Sequence, residues 1–178
     1  MDDVLTSEEC GRLIEAARSR TENSGQTHRH AVRDVLILRV MLECGLRASE
    51  VVQLQPNDVF AGATYLLVGA GPRRRQVPAS EELTASLEEF AQGPERRDRV
   101  FDLSKLSVER MVGSYAALAG IQRPVRPFTL RRTFAQRAFP SQIPSLEALA
   151  RALGVESTVV AARYLSHDCM GGEPYATS

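Results

Sequence analysis

Three side chains that lie far apart in this sequence, Arg47, Arg131 and Tyr164, are of the types that can act together on a phosphate group. A tyrosine hydroxyl, with an ordinary pKa of about 10, is a poor nucleophile at neutral pH and needs cationic neighbours to be more than a packed aromatic. Arginine is such a neighbour, and its planar donor fork fits two oxygens at once. Arg47 follows a glycine turn in GLRASE, Arg131 stands in FTLRRTFA, and Tyr164 stands in LGVESTVVAARYL. Two of them have a plainer reading as well: Arg47 as an ion-pair partner of Glu50 at a helix junction, Tyr164 as a core aromatic.

Positioning these groups falls to a mainly helical chain. Thr6 and Glu9 form a capping box and Leu5 and Cys10 a hydrophobic staple, so a helix is expected over 6–19, with Cys10, Leu13, Ile14 and Ala17 on one face. The polar stretch from Ser19 to His30 reads as a loop, and its His28 and His30, two apart, match no metal motif. From Ala31 to Cys44 the chain is apolar around most of a helical circumference, which predicts a buried central helix stopped by Gly45. Ser49 is placed to cap a short helix after it.

Residues 64–68 and 74–78 read as two strands around the turn GAGPR, a β-hairpin with a basic tip carrying Arg73, Arg74 and Arg75. Further helices are expected from Ser80 to about Phe90, from Ser107 to Ala119, and from a Thr129 cap through LRRTFAQRAF. On that last boundary Arg131 and Arg132 fall in the first turn, where exposed N–H groups favour an anion and oppose unneutralised arginines. Ser145 caps a helix closed by Gly154, and residues 153–165 form the last helical segment.

Composition bounds the partners. Apolar content of 43% and charged content of 25% are those of a soluble globular protein. The acidic start MDDVLTSEE is unlike a signal peptide and no long apolar run occurs, so a cytoplasmic protein away from membranes is expected. Three cysteines, Cys10, Cys44 and Cys169, are odd in number and lack ligand spacing, so reduced thiols and no zinc are expected. With 22 basic and 22 acidic residues the net charge is zero, and any attraction to nucleic acid must come from local clusters. Such clusters are Arg73 to Arg75 and the run of arginines from Arg123 to Arg137.

Taken together, GLRASE, GAGPRRRQVP, FTLRRTFA and LGVESTVVAARY resemble the catalytic domain of the tyrosine recombinases, the phage-integrase family, in order and spacing over nearly the whole chain. Even LTSEECGRLIEAA is similar to that domain's usual first helix. The resemblance implies an α+β fold, mainly α with a small β-hairpin or sheet. The separate helical DNA clamp that often precedes this domain in the family is not visible, so a single domain over 1–178 is expected, with a flexible tail over 168–178, where DCMGGEPYATS shows no helical periodicity. It implies double-stranded DNA as substrate and self-association on it. The reaction implied is attack of a tyrosine on a phosphodiester to form a 3′-phosphotyrosyl link, with no metal or nucleotide cofactor. By motif position Arg47 and Arg131 would clamp the phosphate and Tyr164 would attack it, with Arg73, Arg74, Arg75 and Arg132 along the DNA.

Three positions depart from that pattern. Ala70 stands where the hairpin usually carries lysine, Phe128 where a histidine precedes the second arginine, and Val155 where histidine or tryptophan follows LG. None of these side chains can donate a proton. Arginine is a poor substitute because it stays protonated to about pH 12. His167, three residues beyond the tyrosine, is a candidate for proton transfer, while Lys105, the single lysine, lies in a segment the family does not use for catalysis. Retention of Arg47, Arg131 and Tyr164 favours a strand-cleaving enzyme of weak or altered activity. Loss of the proton donors favours a DNA-binding pseudo-recombinase, and zero net charge leaves open a protein-interaction module.

Overall fold

Thr6 and Glu9 begin the fold as their spacing predicts: the Glu9 carboxylate accepts the Thr6 N–H at 2.8 Å and the Thr6 hydroxyl accepts the Glu9 N–H at 3.1 Å. Leu5 and Cys10 are both buried beside this cap. The computed structural model describes residues 4–24, 28–93 and 98–166. Helix α1 spans Ser7–Ser24 and α2 spans His28–Cys44, so most of the stretch expected as a loop is helical, and His28 and His30 lie on α2. Polar composition misled there because a helix end can form without an apolar period of its own.

Helix α2 is the axis of the larger core. Leu36, Ile37, Leu38, Val40, Met41, Leu42 and Cys44 are all buried, nearly all round the helix, and α1, α4 (Glu81–Ala91) and α6 (Pro127–Ala138) pack against it. Helix α5 (Lys105–Leu118) adds Val108, Met111, Val112 and Tyr115 to the same core. The Tyr115 hydroxyl donates to buried Asp34 at 2.7 Å, and burial followed by that bond pushes the phenol up to about 12. Ser104, not Ser107, caps α5, its hydroxyl accepting from the Ser107 N–H at 3.1 Å.

The expected hairpin is part of a three-stranded antiparallel sheet in the order β1 (Val59–Phe60), β2 (Tyr65–Val68), β3 (Arg75–Pro78). Leu66 faces Val77 and Val68 faces Arg75 across the β2–β3 ladder, with Leu66, Val68 and Val77 buried on one face. Strand β1 is two residues long, too short to show alternation in a sequence.

Helices α7 (Leu146–Leu153) and α8 (Thr158–Arg163) close the described chain, capped by the hydroxyls of Ser145 and Ser157. They pack with the second half of α6 into a smaller core of Phe134, Ala135, Ala138, Leu149, Ala150, Leu153, Ala161 and Tyr164. Residues 153–165 are thus the end of α7, a turn, α8 and its cap, not one continuous helix. Among the described residues no helix is long and apolar enough to cross a membrane.

Candidate active site

Gly45 ends α2 with φ of +65°, in the left-handed region that glycine adopts without strain, and this reversal delivers Arg47 to the start of α3 (Ala48–Val51). Arg47, and not Ser49, is the N-cap residue; the cap bond comes from Glu50, whose Oε2 accepts the Arg47 N–H at 2.8 Å. Glu50 is therefore fixed by the backbone of the residue it was expected to neutralise. Its carboxylate lies 3.7 Å from Arg47 Nη1 and 3.7 Å from Arg131 Nη1.

Arg131 sits deeper than its sequence position suggests. Helix α6 begins at Pro127, whose fixed φ suits the first helical position, with Arg126 at the cap and Thr129 Oγ1 accepting the Arg126 N–H at 3.3 Å. Arg131 and Arg132 consequently occupy the second turn rather than the first, and they are 0% and 1% exposed. The expectation of free N–H groups around them fails for that reason.

Burying a guanidinium this far is costly unless its nitrogens find partners. Arg131 donates from Nη1 to the Gly45 carbonyl, from Nη2 to the Leu153 carbonyl, and from Nε to the Tyr164 hydroxyl at 3.3 Å. Burial lowers its pKa, opposed by Tyr164, reinforced by the like charge of Arg47 and opposed again by Glu50. Burial alone would raise Glu50, yet the hydrogen bonds and charge of Arg75, with Arg131 and the Arg47 N–H, bring it below the usual carboxylate range.

Tyr164 caps α8 and is 1% exposed. Its ring lies 5.2 Å from the Arg131 guanidinium and 5.5 Å from the tilted ring of Phe128. Thus Arg47, Arg131 and Tyr164, separated by up to 117 positions, meet at one locus around Glu50. Phe128 and Val155 are half-buried and pack on the smaller core that holds Tyr164, while Ala70 is exposed in the hairpin turn.

The hairpin arginines separate. Arg73 is exposed and Arg74 forms an ion pair with Asp58, but Arg75 points inward and forks onto Glu50, with Nη1–Oε1 at 2.7 Å and Nη2–Oε2 at 3.2 Å. Arg132 donates from Nη2 to the Ser166 carbonyl instead of lying on the surface. His167, the tail 168–178 and Cys169 lie outside the described residues; Cys10 and Cys44 are free and buried, and burial pushes Cys44 up to about 12. Sequence reading missed Arg75 as an inner residue and Glu50 as a hub. The signal was present in the alternation of RRQVP, which puts Arg75 on the face of buried Val77. Among the described residues no group of three His, Cys, Asp or Glu side chains could hold a metal ion.

The model of the phage integrase family matches residues 3–169. Tyrosine recombinase XerD of Bifidobacterium longum is 32% identical over 154 residues, covering 76% of this chain and 49% of that protein. A tyrosine recombinase of Pseudothermotoga lettingae is 32% identical over 111 residues, covering 58% of this chain and 39% of that protein. The chain spans about half the length of the relatives it matches. Among solved structures, XerA recombinase superposes with a TM-score of 0.76 at 26% identity, covering 92% of this chain and 60% of that one. The catalytic domain of bacteriophage HP1 integrase does so at 0.65 and 26%, covering 91% of this chain and 86% of that one. XerH recombinase bound to its difH substrate shares the fold, at 0.74 and 20% identity over 94% of this chain and 51% of that one. The chain belongs to the phage integrase family, and its mostly helical fold with a small three-stranded sheet is that of a tyrosine recombinase catalytic domain.

Proposed function

We propose that this chain acts on double-stranded DNA as the catalytic part of a site-specific recombinase, cleaving and rejoining a strand through a 3′-phosphotyrosyl link at Tyr164. The observation that carries the reading is the meeting of Tyr164, Arg131 and Arg47: a hydroxyl 3.3 Å from Arg131 Nε, with both guanidinium groups 3.7 Å from one carboxylate. In the cleavage step the Tyr164 hydroxyl gives its proton to solvent as its oxygen bonds to phosphorus, the bond from phosphorus to the 5′ oxygen breaks, and that oxygen takes up a proton from solvent to leave as a hydroxyl. Arg47 and Arg131 stabilise the charge that develops on the non-bridging oxygens, the kind of preorganised electrostatics that dominates many enzymes. The phosphodiester energy is kept in the tyrosyl bond for rejoining.

Proton transfer is the weak link. Ala70, Phe128 and Val155 supply no proton for the leaving oxygen, and general acid–base help is worth roughly 10²–10⁴ in rate. Arg73 and Arg74, at the hairpin tip, are the groups offered to phosphates of the duplex. Affinity then falls with salt, by about 0.9 in the logarithmic slope per phosphate neutralised. XerH bound to its difH substrate and the lambda integrase dimer bound to a COC′ core site are DNA complexes of this fold, and they support duplex DNA and self-association on it as the setting.

A nicked suicide duplex, from which the 5′ product diffuses away, tests the reading. A slow covalent adduct is expected, and it disappears in Tyr164→Phe with duplex affinity unchanged. Duplex binding without any adduct would leave a DNA-binding pseudo-recombinase, the reading that Phe128 packed on the Tyr164 ring favours. Loss of both at low salt would point to a protein-interaction module. Restoring lysine at Ala70 and histidine at Phe128 and Val155 is expected to speed the adduct by about 10²-fold or more.

A further inference from the structure

Arg75 opens strand β3 and faces Val68 across the ladder, so its side chain leaves the sheet on the face that Leu66, Val68 and Val77 bury. At 13% exposure it has little reach to solvent, and all three guanidinium nitrogens are committed. Two of them fork onto the Glu50 carboxylate at 2.7 and 3.2 Å. The third, Nε, donates to the Ala152 carbonyl at 3.0 Å, near the end of α7. The last carbonyls of a helix have no partner within it and attract cations. Arg75 takes Ala152 and Arg131 takes Leu153, so two arginines from different elements finish one helix end.

The turn after that helix lies on the same guanidinium. Gly154 has φ of +62°, and a Cβ there would come within 2.7 Å of Arg75 Cζ and Nη1. Arg75 thereby joins the hairpin, the Glu50 carboxylate and the α7–α8 turn that leads to Tyr164.

Charge sharing around Glu50 decides what this junction does. One carboxylate faces three guanidinium groups, close to Arg75 at 2.7 Å and farther from Arg47 and Arg131, both at 3.7 Å. While Arg75 holds the carboxylate, the other two arginines keep positive charge that an incoming phosphate can use. Without Arg75 the carboxylate is free to close on one of them and cancel half of the clamp. We infer that Arg75 is a positioning residue, not a DNA contact: it holds Glu50 away from Arg47 and Arg131 and seats the turn that precedes Tyr164. The inference rests on the cleavage chemistry proposed above.

The test compares Arg75→Ala, Arg75→Lys and the double variant Arg75→Ala with Glu50→Gln. Single-turnover adduct formation on the suicide duplex is expected to slow by about 10²-fold in Arg75→Ala, the scale of a misplaced reacting group. Duplex affinity is expected to fall by much less than adduct formation, because the clamp is only one of several phosphate contacts. Adding Glu50→Gln is expected to recover about tenfold of the loss, since a neutral amide cannot cancel the clamp. Arg75→Lys keeps the charge but loses the fork, is expected to fall between wild type and Arg75→Ala, and carries the test if the alanine variant does not fold.

Inorganic phosphate, titrated by calorimetry into the free protein, reads the clamp without any cleavage. Its affinity is expected to drop in Arg75→Ala and return in the double variant. A wild type that binds phosphate but forms no adduct overturns the cleavage reading alone. The inference is overturned by phosphate affinity indifferent to Arg75→Ala, including no binding by any variant, or by a double variant no better than the single. It is equally overturned by a salt slope shallower by about 0.9 in Arg75→Ala with adduct formation unchanged, the mark of a lost phosphate contact.

Discussion

Arg123 and Arg131 show how differently two arginines can be used in one chain. Arg131 is enclosed, its nitrogens bonded to two backbone carbonyls and the Tyr164 hydroxyl with the Glu50 carboxylate 3.7 Å away, so its orientation is fixed. Arg123 is spent on structure: Nη1 and Nη2 donate to the two oxygens of Glu9 at 2.6 and 2.8 Å, and Nη2 also reaches the Val4 carbonyl at 2.7 Å. The hydrogen bonds from Arg123, against some burial and with help from the Thr6 N–H, lower the Glu9 carboxyl from 4.5 to about 2. Between those values the unfolded chain binds a proton that the folded chain does not, so the stabilisation is complete above pH 4.5 and is lost as the pH falls towards 2. Arg123→Gln is therefore expected to cost about 1 kcal/mol at neutral pH, the scale of a well-formed but partly solvated pair. Urea midpoints should show the gap between wild type and variant shrinking from pH 7 to pH 3. A gap that stays constant across this range would mean that Arg123 acts through the Val4 carbonyl and packing instead.

At the scale of elements, the turn at Gly45 is the most demanding piece of the site. Its φ of +65° would strain any other residue, and a Cβ there would lie 2.3 Å from Phe134 Cδ1. Gly45→Ala combines a left-handed penalty with overpacking against α6, each worth about 1–3 kcal/mol, and is expected to destabilise by about 2–6 kcal/mol in thermal or urea melts. A loss under 1 kcal/mol would mean that α2 and α6 can slide apart. This turn was legible in the sequence, as were the caps at Thr6, Ser80 and Ser145, because each depends on residues a few positions apart. The start of α6 was misplaced for a similarly local reason: Pro127 can either end an extended approach or begin a helix, and Thr129 serves as a cap or as its partner at the third position. The burial of Arg131 and Arg132 could not be read, since periodicity assigns arginine to water. What makes it affordable is three carbonyls, of Gly45, Leu153 and Ser166, brought from elements up to 86 positions away.

At the scale of the molecule, the described residues form two apolar cores of unequal size, joined through α6, whose Leu130 belongs to the larger and whose Phe134, Ala135 and Ala138 belong to the smaller. Tyr164 lies in the smaller one, buried under Phe128 and bonded to Arg131. A tyrosine so enclosed can reach a phosphate, as the proposed cleavage requires, only if α8 and its neighbours open locally. A small core with few large side chains makes that opening cheap relative to unfolding of the α2 core. Native-state hydrogen exchange is expected to show α8 amides opening at lower free energy than those of α2. Leu38, fully buried in the larger core, separates local from global opening. If α8 opens while α2 stays folded, Leu38→Ala lowers α2 protection by about 2–5 kcal/mol and leaves α8 protection where it was. Equal losses in both helices would mean that the two cores open as one, and Tyr164 would then be freed only by unfolding the domain that must hold Arg47 and Arg131 in place. A catalytic role for Tyr164 requires the first outcome.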